Sequence, residues 1–259
     1  MNKNGKVKIR KLPTGVPRLD DVLGGGIPEY SFNLIAGDPG SGKTTLAHQV
    51  MFANATEERP AIYFTILGEP ALKMLRYQQQ FTFFDMEKVN KAIHFINLSQ
   101  QSMERDLTKV LKSIVDRVEN LNPALVIVDS FRTLVRATHD LEPGKMQLSE
   151  FVQRVAMHLT SWQVTSFLIG EYEEQEMREN PVFTMADGIL VLSQNVERNS
   201  MVRKIRVPKV RGQAPQPGLH SVRIDDSGVQ IYPRMIKPEE TQNKFPSRLI
   251  STGIEAWTK

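Results

Sequence analysis

Nine consecutive residues, Gly37-Asp38-Pro39-Gly40-Ser41-Gly42-Lys43-Thr44-Thr45, carry the strongest chemical signal in the chain. Their spacing is G-x-x-x-x-G-K-[ST], and each residue type has a mechanical reason for its place. The glycines permit positive φ and leave no Cβ in the way, so successive backbone N–H groups can turn inward around a phosphate. Lys43 sets an ammonium against the β- and γ-phosphate oxygens, and Thr44 offers its hydroxyl to Mg²⁺. Thr45 faces the α-phosphate side. A helix starting at the loop adds its positive dipole end. The pattern predicts a nucleoside triphosphate site that works with Mg²⁺.

Such a loop functions only between a strand and a helix. Phe32-Asn33-Leu34-Ile35-Ala36 is strand-like apart from Asn33, and Leu46-Ala47-His48-Gln49-Val50-Met51 is helical. A second motif should supply an acid at the end of a buried strand, holding Mg²⁺ directly or through water. Ala124-Leu125-Val126-Ile127-Val128-Asp129 fits, with Ser130 next to it. An acid there can also be a helix cap, but the upstream phosphate loop favours the metal role for Asp129. Hydrolysis further needs a group that activates or orients water. The candidate is Glu69, in Leu67-Gly68-Glu69-Pro70 after the apolar run 61–66, where an ordinary first-turn acid beside Pro70 would look the same.

The elements that must position these groups follow from periodicity. Apolar runs at 31–36, 61–66, 92–98, 124–128, 164–170 and 188–192 alternate with helical segments from Thr44, near 71–80, after Ser102 and around 148–159. In the third of these helices Leu107, Val110, Leu111, Ile114, Val115, Val118 and Leu121 recur at i, i+3, i+4 and form one buried stripe. Alternation of this kind predicts an α/β fold with a mostly parallel central sheet flanked by helices. After Ser193 the helical period disappears, and 202–210, 219–224 and 229–232 read as short strands that extend the sheet in antiparallel fashion.

Composition bounds the rest. The chain has 259 residues, 40% hydrophobic and 24% charged, which suits a globular protein with one large core and excludes disordered or collagenous classes. It contains no cysteine, so thiolate zinc sites, cysteine-ligated clusters and cysteine nucleophiles are excluded, and a reducing compartment is expected. With no apolar run long enough for a membrane helix and no signal-peptide pattern, a cytoplasmic protein without membrane contact is expected. The net charge of +4 sits at the N-terminus: residues 1–18 hold six bases and no acids, leaving 27 bases against 29 acids in the remainder. Residues 1–11 are read as a basic arm, 12–233 as the domain, and 234–259 as a polar, proline-containing linker. Ser251-Thr252-Gly253-Ile254 echoes Pro13-Thr14-Gly15-Val16, either by chance or as the start of a second, truncated repeat.

Together these residues resemble the KaiC family of RecA-like ATPases. The resemblance runs from Leu12-Pro13-Thr14-Gly15-Val16-Pro17-Arg18-Leu19-Asp20 and Gly24-Gly25-Gly26-Ile27-Pro28 through the phosphate loop and Val126-Ile127-Val128-Asp129-Ser130. It closes with Ala186-Asp187-Gly188-Ile189 and Ile224-Asp225-Asp226-Ser227-Gly228-Val229-Gln230-Ile231-Tyr232-Pro233. It implies a RecA-like fold, ATP with Mg²⁺ at subunit interfaces, and a hexameric ring, often built from tandem domains. It also implies that Lys209 and Arg211, before Gly212, reach across to a neighbour's nucleotide. The family carries two adjacent glutamates after its second strand, whereas this chain has only Glu69, preceded by Gly68. In one register Glu69 matches the second glutamate; in the other it sits one step late.

Three functions follow as expectations. The first is an Mg²⁺-dependent ATPase ring, with slow turnover and autokinase chemistry within its range, that signals nucleotide state to a partner protein. The second is an interaction module that binds ATP and hardly hydrolyses it. The third, a DNA motor, is disfavoured because residues 171–179 hold five acids and one base, which repel phosphates.

Overall fold

The computed structural model describes residues 9–66, 71–98, 107–131, 148–172 and 174–235. Nine strands form one sheet in the order β11-β10-β9-β8-β3-β7-β6-β4-β5. They are β3 (Phe32–Gly37), β4 (Ala61–Thr65), β5 (Ile93–Asn97), β6 (Leu125–Asp129), β7 (Thr165–Gly170), β8 (Gly188–Glu197), β9 (Ser200–Val210), β10 (His220–Asp225) and β11 (Gly228–Tyr232). Strands β3 to β8 are mutually parallel, and β9, β10 and β11 continue the sheet antiparallel. This is the α/β architecture that the alternating pattern predicts.

Residues alternate between the two faces along each strand, and each face has its own core. Ile35, Tyr63, Ile127, Phe167 and Ile169 pack on one side with α1 (Leu19–Leu23) and α2 (Lys43–Asn54). Leu34, Phe64, Val128 and Leu168 pack on the other against α4 (Leu107–Leu121) and α5 (Leu148–Ser161). Leu107, Val110, Leu111, Ile114 and Val118 of α4 are buried as the i, i+3, i+4 stripe requires, with Val115 and Leu121 packed at its margin. A further helix, α3 (Ala71–Gln78), follows β4.

Several elements carry weaker sequence signals. Strands β8 and β9 extend past Ser193 into a long hairpin whose turn residues, Arg198 and Asn199, both have positive φ (49° and 62°). Left-handed φ at both central positions is the geometry that matches hairpin twist, but an Arg-Asn pair is a poor signature for it. Between β7 and β8 lie two short helices, α6 (Glu174–Glu179) and α7 (Pro181–Met185). Helix α7 starts by a recognisable device: Asn180 Oδ1 accepts from Val182 N at 3.0 Å, and Pro181 occupies the first turn.

The first strand, β1 (Lys11–Leu12), pairs with β2 (Ile27–Pro28), so the ordered fold begins one residue inside the segment read as a basic arm. Lys11 is held because its Nζ donates to the Gly24 carbonyl. The Phe81, Phe83 and Phe84 cluster packs inward: Phe52 lies 4.9 Å from Phe84, and Phe83 and Phe84 rest on the α2-side core. No helix among the described residues is long and apolar enough to cross a membrane.

Candidate active site

The phosphate-loop motif lies at the C-terminal edge of the parallel sheet. β3 delivers the chain to Gly37 at φ 143°, and α2 starts at Lys43 after Gly42 at φ 102°. A Cβ on Gly37 would stand 1.8 Å from the Leu192 carbonyl oxygen of β8, so the strand pair closes only with glycine there. The β8–β9 hairpin braces the loop. Asp38 N donates to Leu192 O (3.3 Å), Gln194 N donates to Asp38 Oδ2 (3.0 Å), and Arg203 Nε donates to Gly40 O (3.3 Å). Pro39 and Gly40 form the outward bend, and Thr45 is half-buried on the first turn of α2. The Ser41 hydroxyl is buried without a hydrogen-bond partner, a polar group that a phosphate oxygen at the loop would satisfy.

Lys43, Thr44 and Asp129 converge from two distant segments. Thr44 Oγ1 donates to Asp129 Oδ2 at 2.8 Å, and Tyr63 Oη donates to the same oxygen at 2.6 Å. Burial raises the pKa of Asp129; the two hydroxyls and the Lys43 charge oppose that rise, and Glu171 adds to it. Lys43 Nζ donates to Asp38 O at 2.7 Å and lies 4.0 Å from Glu171 Oε1. Its side chain is 9% exposed, and burial lowers its pKa against the pull of Glu171, Asp129 and Asp38. A hydroxyl and a carboxylate side by side are hard oxygen donors, the set that Mg²⁺ takes. Thr44 and Asp129 therefore fit the ion, and the loop with Lys43 fits a triphosphate.

Behind Asp129 the support is apolar. Tyr63 is fully buried, with its ring 4.5 Å from His48 and 5.6 Å from Phe95. His48 lies one turn after Thr44 on α2, and neither of its ring nitrogens has a hydrogen-bond partner. The Gln78 side chain faces the ring, raising its pKa only slightly, and its own Oε1 is unpartnered. Burial dominates and lowers the imidazole pKa to about 4. His48 is therefore neutral packing for Tyr63 at ordinary pH.

Lys209 and Arg211 are not brought to this edge. Lys209 pairs with Ile189 and Val210 with Gly188, which is level with Asn33, so both basic residues lie near the opposite, N-terminal end of β3. Four residues separate Asn33 from Gly37, about 13 Å along the strand. Lys209 Nζ donates to Thr184 O at 3.0 Å, and Arg211 Nη1 pairs with Asp187 Oδ1 at 2.8 Å. Glu69 lies outside the described residues.

Three groups at the site escaped the motif reading. Tyr63 looks like one more apolar position in a buried strand, and only its pairing with Asp129 shows that its hydroxyl matters. Arg203 belongs to a hairpin whose register no local signal sets. Glu171 was legible: Phe167 and Ile169 of β7 face the α2 side, and alternation puts residue 171 there too.

Comparison with known proteins agrees with this geometry. A family model described as "ATPase: KaiC" matches residues 12–236. The DNA repair protein RadA of Mycobacterium tuberculosis is 31% identical over 223 residues, covering 84% of this chain and 44% of RadA. RadA of Brucella abortus is 26% identical over 95% of this chain and 50% of its own length, so the chain spans about half of these relatives. A UPF0273 protein of Thermotoga maritima is 25% identical and is covered over 97% of its length. The crystal structure of a KaiC-like protein from Pyrococcus horikoshii superposes with a TM-score of 0.74 at 24% identity, over 87% of this chain and all of that one. With the phosphate loop, the Thr44–Asp129 pair and the mostly parallel sheet all in place, the chain belongs to the KaiC family of ATPases.

Proposed function

We propose that this protein is an Mg²⁺-dependent ATPase that works as a ring of identical copies and reports its nucleotide state to a partner protein. The observation that carries the proposal is the convergence of Lys43, Thr44 and Asp129 at one sheet edge, with Thr44 Oγ1 and Asp129 Oδ2 2.8 Å apart. Residues 37–45 wrap the phosphates with backbone N–H groups, and Lys43 neutralises charge on the β- and γ-oxygens. Thr44 Oγ1 and Asp129 would hold Mg²⁺, which would add positive charge at the phosphates. Tyr63 fixes the Asp129 carboxylate, and the hairpin contacts of Asp38 and Gly40 hold the loop open.

The ring reading draws support from where the other cations stand. Lys209 and Arg211 lie at the far end of the sheet from their own phosphate loop, so a nucleotide they act on would have to be a neighbour's. There they would neutralise charge that develops on the transferring phosphoryl group. A mixing experiment tests this. Lys43→Ala and a Lys209→Ala/Arg211→Ala double variant are each inactive alone, and mixing restores part of the turnover because some interfaces then join an intact loop to intact cations. Mixtures that stay at the level of the separate variants would exclude trans action.

A second reading, a module that binds ATP and hardly turns it over, is favoured by the single glutamate at Gly68-Glu69 where the family resemblance implies a pair. Timed incubation with γ-labelled ATP and Mg²⁺ separates the two. Released phosphate marks an ATPase, label kept on protein adds autokinase activity, and bound but intact ATP marks the module. A DNA-handling role draws on the RadA relatives, but residues 171–179, with five acids and one base, work against it.

A further inference from the structure

We propose that Glu171 is the carboxylate that orients and deprotonates the water attacking the γ-phosphate, a role that rests on the ATPase reading above. Strand pairing places it. Ala36 of β3 pairs with Gly170, the last residue of β7, and Glu171 follows directly, at the same end of the sheet where the phosphate loop begins. β7 lies between β3 and β6, so Glu171 stands between the strand that carries the loop and the strand that carries Asp129. Asp129 pairs with Ile169, two residues earlier on β7 and therefore on the same face of the sheet. That face also carries α2, and Glu171 Oε1 lies 4.0 Å from Lys43 Nζ.

The chain on both sides of Glu171 is fixed. Tyr172 is 4% exposed and packs edge-on against Phe183 at 5.1 Å. Its ring folds back over Gly170, where any Cβ would meet it at 2.4 Å. These neighbours fix the backbone that carries Glu171, which limits where its carboxylate can reach. Its side chain is 49% exposed, so water reaches it.

Two further described acids, Asp38 and Asp129, act on Lys43 as well. Asp38 accepts from the Gln194 backbone and Asp129 from two hydroxyls. Glu171 Oε1 faces, at 4.0 Å, the ammonium that meets the γ-phosphate. In the step proposed, the water oxygen forms a bond to Pγ and the bond from Pγ to the β–γ bridging oxygen breaks. The electron pair leaves with ADP, and the water proton passes to Glu171 and on to solvent.

The test uses the full chain with γ-labelled ATP and Mg²⁺, and compares wild type with Glu171→Gln, Glu171→Asp and Glu69→Gln. Equilibrium binding of labelled ATP and thermal unfolding are measured in parallel. Glu171→Gln should lower kcat by about 100-fold or more while ATP affinity and melting temperature stay close to wild type. Glu171→Asp should recover part of the loss. Turnover within threefold of wild type in Glu171→Gln, with collapse in Glu69→Gln, would overturn the proposal and leave the ATPase reading standing. Loss of ATP binding together with kcat would also overturn it, because Glu171 would then be holding Lys43 rather than aiming water. A wild type that binds ATP without turnover removes both claims of catalysis, and one that does not bind ATP removes the nucleotide reading itself.

Discussion

Tyr63→Phe tests how the metal-binding acid is held. The substitution removes one oxygen and keeps the ring, so the packing of His48 at 4.5 Å and Phe95 at 5.6 Å is retained. What is lost is a 2.6 Å hydrogen bond to a buried carboxylate. Bonds to charged groups contribute about 1.5–3 kcal/mol, so a loss of about 2 kcal/mol is expected at neutral pH. For a chain of this size that lowers the melting temperature by about 4–8 °C. The pH dependence identifies the partner. Tyr63 favours the ionised form of Asp129, so its removal raises further a pKa that burial already holds above the ordinary carboxylate value. The gap between wild type and variant is therefore widest where Asp129 is ionised and narrows as pH falls through its titration. Thermal unfolding followed from pH 8 downward reads both effects. A melting temperature within about 1 °C of wild type at neutral pH, or a gap that does not change with pH, would refute the idea that Tyr63 holds the charged acid.

Other outcomes follow from the same geometry. Thr44→Ala removes a hydroxyl from the Mg²⁺ donor set and a donor from Asp129. It should weaken ATP binding about 10- to 100-fold in Mg²⁺ and little in excess chelator, as equilibrium binding would show. Gly37→Ala would drive a Cβ into the Leu192 carbonyl at 1.8 Å, and a cost above about 4 kcal/mol should abolish soluble folded protein, checked by circular dichroism of the expressed variant. His48 has a folded-state pKa of about 4 against an ordinary 6.5, so its contribution is complete above about pH 6.5 and is lost as pH falls towards 4. That is about 3 kcal/mol over the window. Denaturant midpoints measured across it should fall steeply for wild type and more gently for His48→Gln, and equal slopes would place the titrating group elsewhere.

The fold was legible because its main signals are local. Buried parallel strands read as continuous apolar runs and amphipathic helices as a 3.6-residue stripe, so β3, β4, β6, β7 and α4 could be placed from periodicity alone. The extension of β8 past Leu192 was not, although 202–210 of its partner β9 was, because Gln194 and Asn195 are polar and their strand conformation comes from cross-strand pairing, not from burial. Helices α6 and α7 were missed because they span six and five residues, too few for an amphipathic period to show.

The site divides in the same way. Residues 37–45 are contiguous, and their types encode a phosphate nest whatever surrounds them, so the sequence alone determined the loop, its lysine and its threonine. Asp129 could be named because a phosphate loop calls for an acid at the end of a buried strand, and this apolar strand ends in one. Tertiary structure decided the rest, because those relations join residues far apart in the chain. Sheet order sets Tyr63 against Asp129 and brings Glu171 within 4.0 Å of Lys43, and an antiparallel return through β9 carries Lys209 and Arg211 to the opposite end of the sheet. Each depends on strand pairing and register, which a one-dimensional pattern does not contain.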